Sequence, residues 1–213
     1  MVSLDEFLPY VVPDCPGISD AGAMEAIISA AIEFCEKSLV LQADHDAISV
    51  KTGVVDYDLA PPTDHLICKV LKVWFRHYLL PPNAPDDVDY ATVYNDFLST
   101  SGGTPRVYFQ KDARTLSVWP IPQADEASVI TLRVALKPKR GATSVSDVLY
   151  EDWADVIAAG AKSTLQMTPG KPYGNPIAAQ YNRNVFTAGV NRAMTRANKG
   201  NTRANLSVRM RRI

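Results

Sequence analysis

The spacing of apolar residues changes period twice along this chain, and that double switch restricts the fold more than any other feature. Before Leu41, residues Ala23, Ile27, Ala30, Phe34, Ser38 and Leu41 recur at helical spacing. From Asp44 to Lys137 the alternation has period two, and after Gly141 the helical period returns. The order is therefore helix, antiparallel sheet, helix, helix. An N-terminal helix and a C-terminal helical hairpin each carry an apolar stripe that the other can cover. The expected fold is α+β: a helical bundle with an inserted antiparallel β-sheet region and an extended C-terminal arm. The expected parts are 1–43 (arm and first bundle helix), 44–140 (β region with a short helix), 141–200 (helical hairpin) and 201–213 (basic arm).

Local signals place the elements. Ser19 or Asp20 caps a helix running to about Leu41. Pro9, Pro13 and Pro16 break the segment from Leu8 to Gly17, which reads as an extended arm. Ile48 and Val50, then Val55, Tyr57 and Leu59, flank Thr52-Gly53 as a hairpin. Leu66, Cys68 and Val70 share one face while Leu71, Val73 and Phe75 share the other, so a bulge near Val70 or a strand buried on both sides is expected. Val107 and Phe109, then Leu116 and Val118, flank a turn at Lys111–Arg114, and Ile130, Leu132, Val134 and Leu136 continue the alternation. Five or six antiparallel strands are expected. Pro85-Asp86-Asp87-Val88-Asp89 starts a short helix reaching Phe97 or Leu98, ended by Ser101–Pro105. Ser144 with Asp147 resembles a capping box ahead of the stripe Leu149, Trp153, Val156, Ile157, Gly160 and Leu165. Pro169–Gly174 stops that helix, and Asn175 as cap with Pro176 at the first position opens another, ending near Lys199-Gly200.

At 213 residues the chain can bury roughly 70% of its unfolded surface without a metal or disulfide staple. Its start has neither the basic region nor the apolar stretch of a secretory signal, and no apolar run approaches the ~18 residues of a bilayer span. A soluble protein made in a cytoplasm, with no membrane partner, is the expectation. Cys15, Cys35 and Cys68 are too widely spaced for a zinc site and read as reduced thiols. The near-neutral net charge conceals a strong segregation. Residues 1–160 hold 12 Lys and Arg against 23 Asp and Glu, whereas 161–213 hold 10 basic side chains and no acidic one. Such blocks mark interaction segments, because an unopposed basic run gains by meeting an acidic surface.

Catalytic signatures are lacking. His45 between Asp44 and Asp46 suggests a metal site or a general base, but the composition suits a solvated loop better. His65 and His77 have no partner at helical ligand spacing, and Gly170-Lys171 has Pro172 where a phosphate loop needs Ser or Thr. No nucleophile elbow occurs. The expectation is a protein that is not an enzyme, with no cofactor and no metal. Trp74, Trp119 and Trp153 read as core anchors. Arg192, Arg196, Lys199 and Arg203 follow helical spacing and would share a face if the helix passed Gly200. The 13-residue tail beyond it can reach roughly 43 Å at ~3.3 Å per residue, enough to leave its own subunit.

Several segments carry a resemblance in their order and spacing. They are Pro13-Asp14-Cys15-Pro16-Gly17, Ala31–Ser38, Val54–Leu59 with Pro61, Leu149-Tyr150-Glu151-Asp152-Trp153, Ala158-Ala159-Gly160-Ala161, and Pro169–Tyr173. From about Leu8 to Met194 the chain resembles the tailed-bacteriophage head-tail adaptor (connector) family and is similar to the podovirus tail tubular protein A. The resemblance implies a dodecameric ring at the head-tail junction of the virion, made in the host cytoplasm. Its partners would be the portal protein above, tail or collar proteins below, other copies of itself, and genomic DNA passing through the channel without sequence-specific binding. Carried over to this sequence, Arg203, Arg209, Arg211 and Arg212 become portal-contact candidates, with Arg192, Arg196 and Lys199 as further portal or subunit contacts. The charge division agrees, since complementary surfaces suit head-to-tail packing of identical subunits, and an acidic body suits a channel wall that must not hold DNA. The alternative reading is a basic-tailed nucleic-acid-binding protein.

Overall fold

A computed structural model describes residues 1–83 and 103–200, as four α-helices and three sheets of antiparallel strands. The helix expected from Pro85 to Phe97 or Leu98 and the arm from Asn201 to Ile213 lie outside the described residues. The chain divides into two compact units, one of Met1–Leu41 with the chain from Pro138 onward, the other Gln42–Lys137.

The first unit is helical. The segment expected to be an extended arm is instead a run of short turns: a 3-10 turn at Leu4–Phe7, helix α1 at Leu8–Val11 and a second 3-10 turn at Val12–Asp14. Pro9 and Pro13 fall in the first turn of their helices, where the missing N–H would have had no partner anyway. Phe7, Val11 and Cys15 are fully buried, so the segment is core. The Phe7 ring meets Tyr150 edge-on at 5.2 Å.

Helix α2 spans Asp20–Ser38, and Ser19 caps it by accepting from the Gly22 N–H at 3.2 Å. It stops short of Leu41 because Leu39 takes the left-handed conformation (φ 53°) while its N–H still reaches the Cys35 carbonyl. Ala23, Ile27, Ala30, Phe34 and Ser38 are all buried, as their spacing requires. The expected Ser144–Asp147 capping box does not form. Ser144 and Val145 make strand β9, paired with β1 (Val2–Ser3), and the Asp147 carboxylate meets the N-terminal ammonium of Met1.

Helices α3 (Asp147–Gln166) and α4 (Pro176–Lys199) form the C-terminal hairpin, and both pack on α2. Pro176 stands at the start of α4, and the Asn175 side chain accepts from the Ala178 N–H at 3.2 Å. The Asn175 N–H donates back to the Gln166 carbonyl, tying the two helix ends together. Phe34, Trp153 and Phe186 meet at the centre, with ring separations of 5.4 and 6.3 Å about Phe34. Leu165, expected on the apolar stripe, is only half-buried.

The second unit holds two of the sheets rather than the single one expected. Their orders are β2-β8-β4-β5 and β3-β7-β6, with β2 Gln42–Val50, β3 Asp56–Asp58, β4 His65–Phe75, β5 Tyr78–Leu80, β6 Val107–Asp112, β7 Thr115–Trp119 and β8 Glu126–Pro138. The expected hairpin about Thr52-Gly53 is not one. The turn is there, with Gly53 at φ 77°, but β2 pairs with β8 and β3 with β7, so it passes the chain from one sheet to the other. Asp125 holds this turn, accepting from both the backbone N–H and the hydroxyl of Thr52 at 2.7 and 2.9 Å. The β6–β7 hairpin forms where expected, and Asp112 accepts from the Arg114 N–H within its turn. In β4 the buried positions are His65, Ile67, Val70, Val73 and Phe75, so the inward face changes phase on either side of Val70. Ile130, Leu132, Val134 and Leu136 of β8 are buried as their alternation requires.

Candidate functional site

Two of the three histidines are engaged in structure. His45 lies in β2, half-buried, and not in a solvated loop. Its Nε2 accepts from the Ala60 N–H at 3.1 Å, which leaves Nδ1 to donate to the Asp46 carbonyl at 2.7 Å. Both ring nitrogens are thus committed. The buried His65 has its Nδ1 2.9 Å from the Thr63 carbonyl. No group of His, Cys, Asp or Glu suited to a metal occurs among the described residues. Cys15 and Cys35 are buried, and burial beside Asp14 pushes the Cys15 thiol above its usual range. No described helix is long and apolar enough to cross a membrane.

The basic C-terminal segment is where the structure departs from an ordinary solvated surface. No acid follows Asp155 in the sequence, so any cation of α4 that forms an ion pair within the unit must take its partner from another element. Arg183 reaches Glu33 of α2 through two nitrogens at 2.6 and 3.1 Å and lies 5.3 Å over the Phe186 ring. Those charge-assisted bonds, with one from Lys37, hold the Glu33 carboxyl below its usual range against the opposing effect of burial. Arg196 reaches Asp152 of α3 at 2.8 Å and lies 6.0 Å from the Trp153 ring centroid. Trp153 is buried, whereas Trp74 and Trp119 are half-buried.

Of the candidate contact residues, Arg196 therefore faces inward in part. Arg192 and Lys199 are exposed on the last two turns of α4, and Arg192 makes no ion pair among the described residues. Arg203, Arg209, Arg211 and Arg212 lie outside the described residues.

Sequence reasoning missed an apolar cluster at the other end of the hairpin. Ile177 and Tyr181, one turn apart on α4, are 85% and 68% exposed, and Met167 just past α3 is 61% exposed. Met167 also lines a groove of about 270 Å³, together with Ser163, Thr164, Ala179, Gln180 and Arg183. Lys171, exposed in the connecting loop, makes no ion pair among the described residues. The exposed positions of α4 from Gln180 to Asn191, namely Gln180, Tyr181, Asn184, Thr187, Ala188 and Asn191, carry no charge, and Arg192 and Lys199 follow only in the last two turns. A long exposed helix face with Tyr and Ile and so few charges has the composition of an interface core. The signal was in the sequence, as Ile177 and Tyr181 four apart with no apolar partner face left to cover them.

A surface of opposite character lies on α1 and the start of α3. Tyr10 and Val148 are exposed there, with Glu6, Glu151 and Asp155 exposed beside them and without ion pairs among the described residues. Tyr10 and Tyr150 stack edge-on at 6.4 Å.

A family model described as SU10 adaptor protein matches residues 4–211, nearly the whole chain. No curated protein matches the chain.

Proposed function

This chain belongs to the SU10 adaptor protein family of tailed-phage head-tail adaptors, and from that premise we propose that it forms a ring below the portal, joining it to the tail. In this reading twelve copies surround a channel through which the genome leaves without being bound in a sequence-specific way. The helical bundle, with the β region inserted in it, is the ring-forming body, and the ring sits at the head-tail junction of the virion. The basic arm, with Arg203, Arg209, Arg211 and Arg212, grips the portal, while Arg192 and Lys199 extend that contact along α4. The subunit works by assembly rather than turnover, and tail or collar proteins dock beneath it.

The observation that carries this reading is the family match across residues 4–211, supported by the concentration of basic side chains, with no acid among them, in the last quarter of the chain. The experiment is mass by light scattering on the purified chain alone, with its cognate portal, and with a chain ending at Lys199. Portal-dependent assembly that disappears on truncation supports the proposal and places the grip in the arm. A monomer indifferent to portal in both forms overturns it, and a steep salt-dependent affinity for DNA would then favour a nucleic-acid-binding protein.

A further inference from the structure

The geometry points to a specific head-to-tail contact between two copies of this chain, in which the Met167–Ile177–Tyr181 cluster of one copy docks on the acidic Tyr10–Val148 surface of the next. The inference rests on the ring reading and names the two surfaces that would close it.

Three observations carry it. The first is the composition of this hairpin end: three large apolar side chains, each more than half exposed, of which Met167 lines a groove floored in part by Ala179. Isolated exposed apolar residues are ordinary, but a contiguous group on one helix end beside an open groove marks a binding surface. The second is sign. Lys171 in the hairpin loop is a cation with no ion pair among the described residues, while Glu6 of the first 3-10 turn and Glu151 and Asp155 of α3 are acids in the same condition. Each surface has an exposed tyrosine among its apolar residues, and the two differ in charge, so copy against copy is complementary in a way that a surface against itself is not. Two different patches on one chain make a heterologous contact, which repeats from copy to copy until a ring closes.

The third is size. Three side chains and a shallow groove fall well short of the about 800 Å² per partner that stable complexes bury. One such contact is therefore weak, and a free subunit need not dimerise. A ring gives every copy two of these contacts at once, with a portal as template, and the second contact forms at high effective concentration. Weak pairing in solution and firm pairing in the ring follow together.

The test is photo-cross-linking of the full chain with p-benzoylphenylalanine in place of Tyr181. Unlabelled and isotope-labelled copies are mixed on the cognate portal, so that links between copies are separated from links within one. The expected product joins position 181 to residues 5–14 or 147–155 of another copy. Glu151→Lys lowers its yield several-fold, and adding Lys171→Glu restores it. Ile177→Asp lowers it as well, with an unchanged melting curve showing that the fold is intact. Assembly on the portal without that product, or with position 181 linked only to its own chain or to portal, overturns this contact and leaves the adaptor reading standing. Neither assembly nor cross-linking overturns both.

Discussion

Gly189 of α4 lies so close to Val156 of α3 that a Cβ placed on the glycine would fall 2.3 Å from Val156 Cγ1. Farther along the same hairpin, a Cβ on Gly160 would come within 2.6 Å of the Phe186 ring. At each place a side chain of one helix lies against the bare glycine backbone of the other, and an added methyl must push them apart. Gly189→Ala should therefore cost about 2 kcal/mol by overpacking, even though alanine is the better helix former. Denaturant unfolding checks this, and a neutral or stabilised variant would mean that the hairpin is looser than described.

Glu33 supplies an acid-sensitive link between α2 and α4. Its folded-state pKa lies below the unfolded value because Arg183 and Lys37 bond its carboxylate. That stability is present above the unfolded glutamate pKa of ~4.3 and is lost as pH falls through the lower folded value. Because Glu33 and Arg183 remain partly exposed to solvent, Glu33→Gln should cost only about 1 kcal/mol at neutral pH. Melting curves of the two proteins should converge below about pH 4. A gap that persists unchanged in acid would show that the glutamine acts by some route other than lost charge.

The N-terminal turns are core, and Phe7 measures it. Fully buried against Tyr150, it should cost about 3–5 kcal/mol on truncation to alanine. An extended surface arm would tolerate Phe7→Ala with little change in midpoint, so a urea titration separates the two descriptions.

Arg192 and Arg196 should behave oppositely although they are one helical turn apart. Arg196→Ala removes the Asp152 pair and the contact over Trp153 and should lower stability by about 1 kcal/mol. Arg192→Ala removes an exposed side chain and should leave the melting curve unchanged while weakening assembly. Equal effects of both variants on stability would contradict the placement of Arg192.

The elements that the sequence announces are those whose signals are local. Asn175-Pro176 and Lys199-Gly200 bound α4 as read, because a cap needs only its own first turn. Proline was misjudged at Pro9 and Pro13, since the same residue breaks a helix interior and suits a first turn, and only the burial of Phe7 and Val11 decides which. Thr52-Gly53 was legible as a turn but not as a passage between sheets. Turn chemistry fixes the chain reversal, while β8 and β7, which compete for the flanking strands, lie more than 50 residues away. At the candidate site the charge segregation was visible in composition. The inward engagement of Arg183 and Arg196 was not, because it depends on which acids of α2 and α3 the folded helices bring within reach.

The helical unit is assembled from the two ends of the chain, with Gln42–Lys137 synthesised between them. At roughly 5–20 residues per second on the ribosome, α2 emerges several seconds before α3 and α4 exist to cover it. During that interval Ile27, Ala30 and Phe34 have no native helical partner, while the strands of the second unit can already pair. The order of birth thus makes the newborn α2 the segment most in need of shielding, and every copy of the chain passes through this exposed stage as it is made.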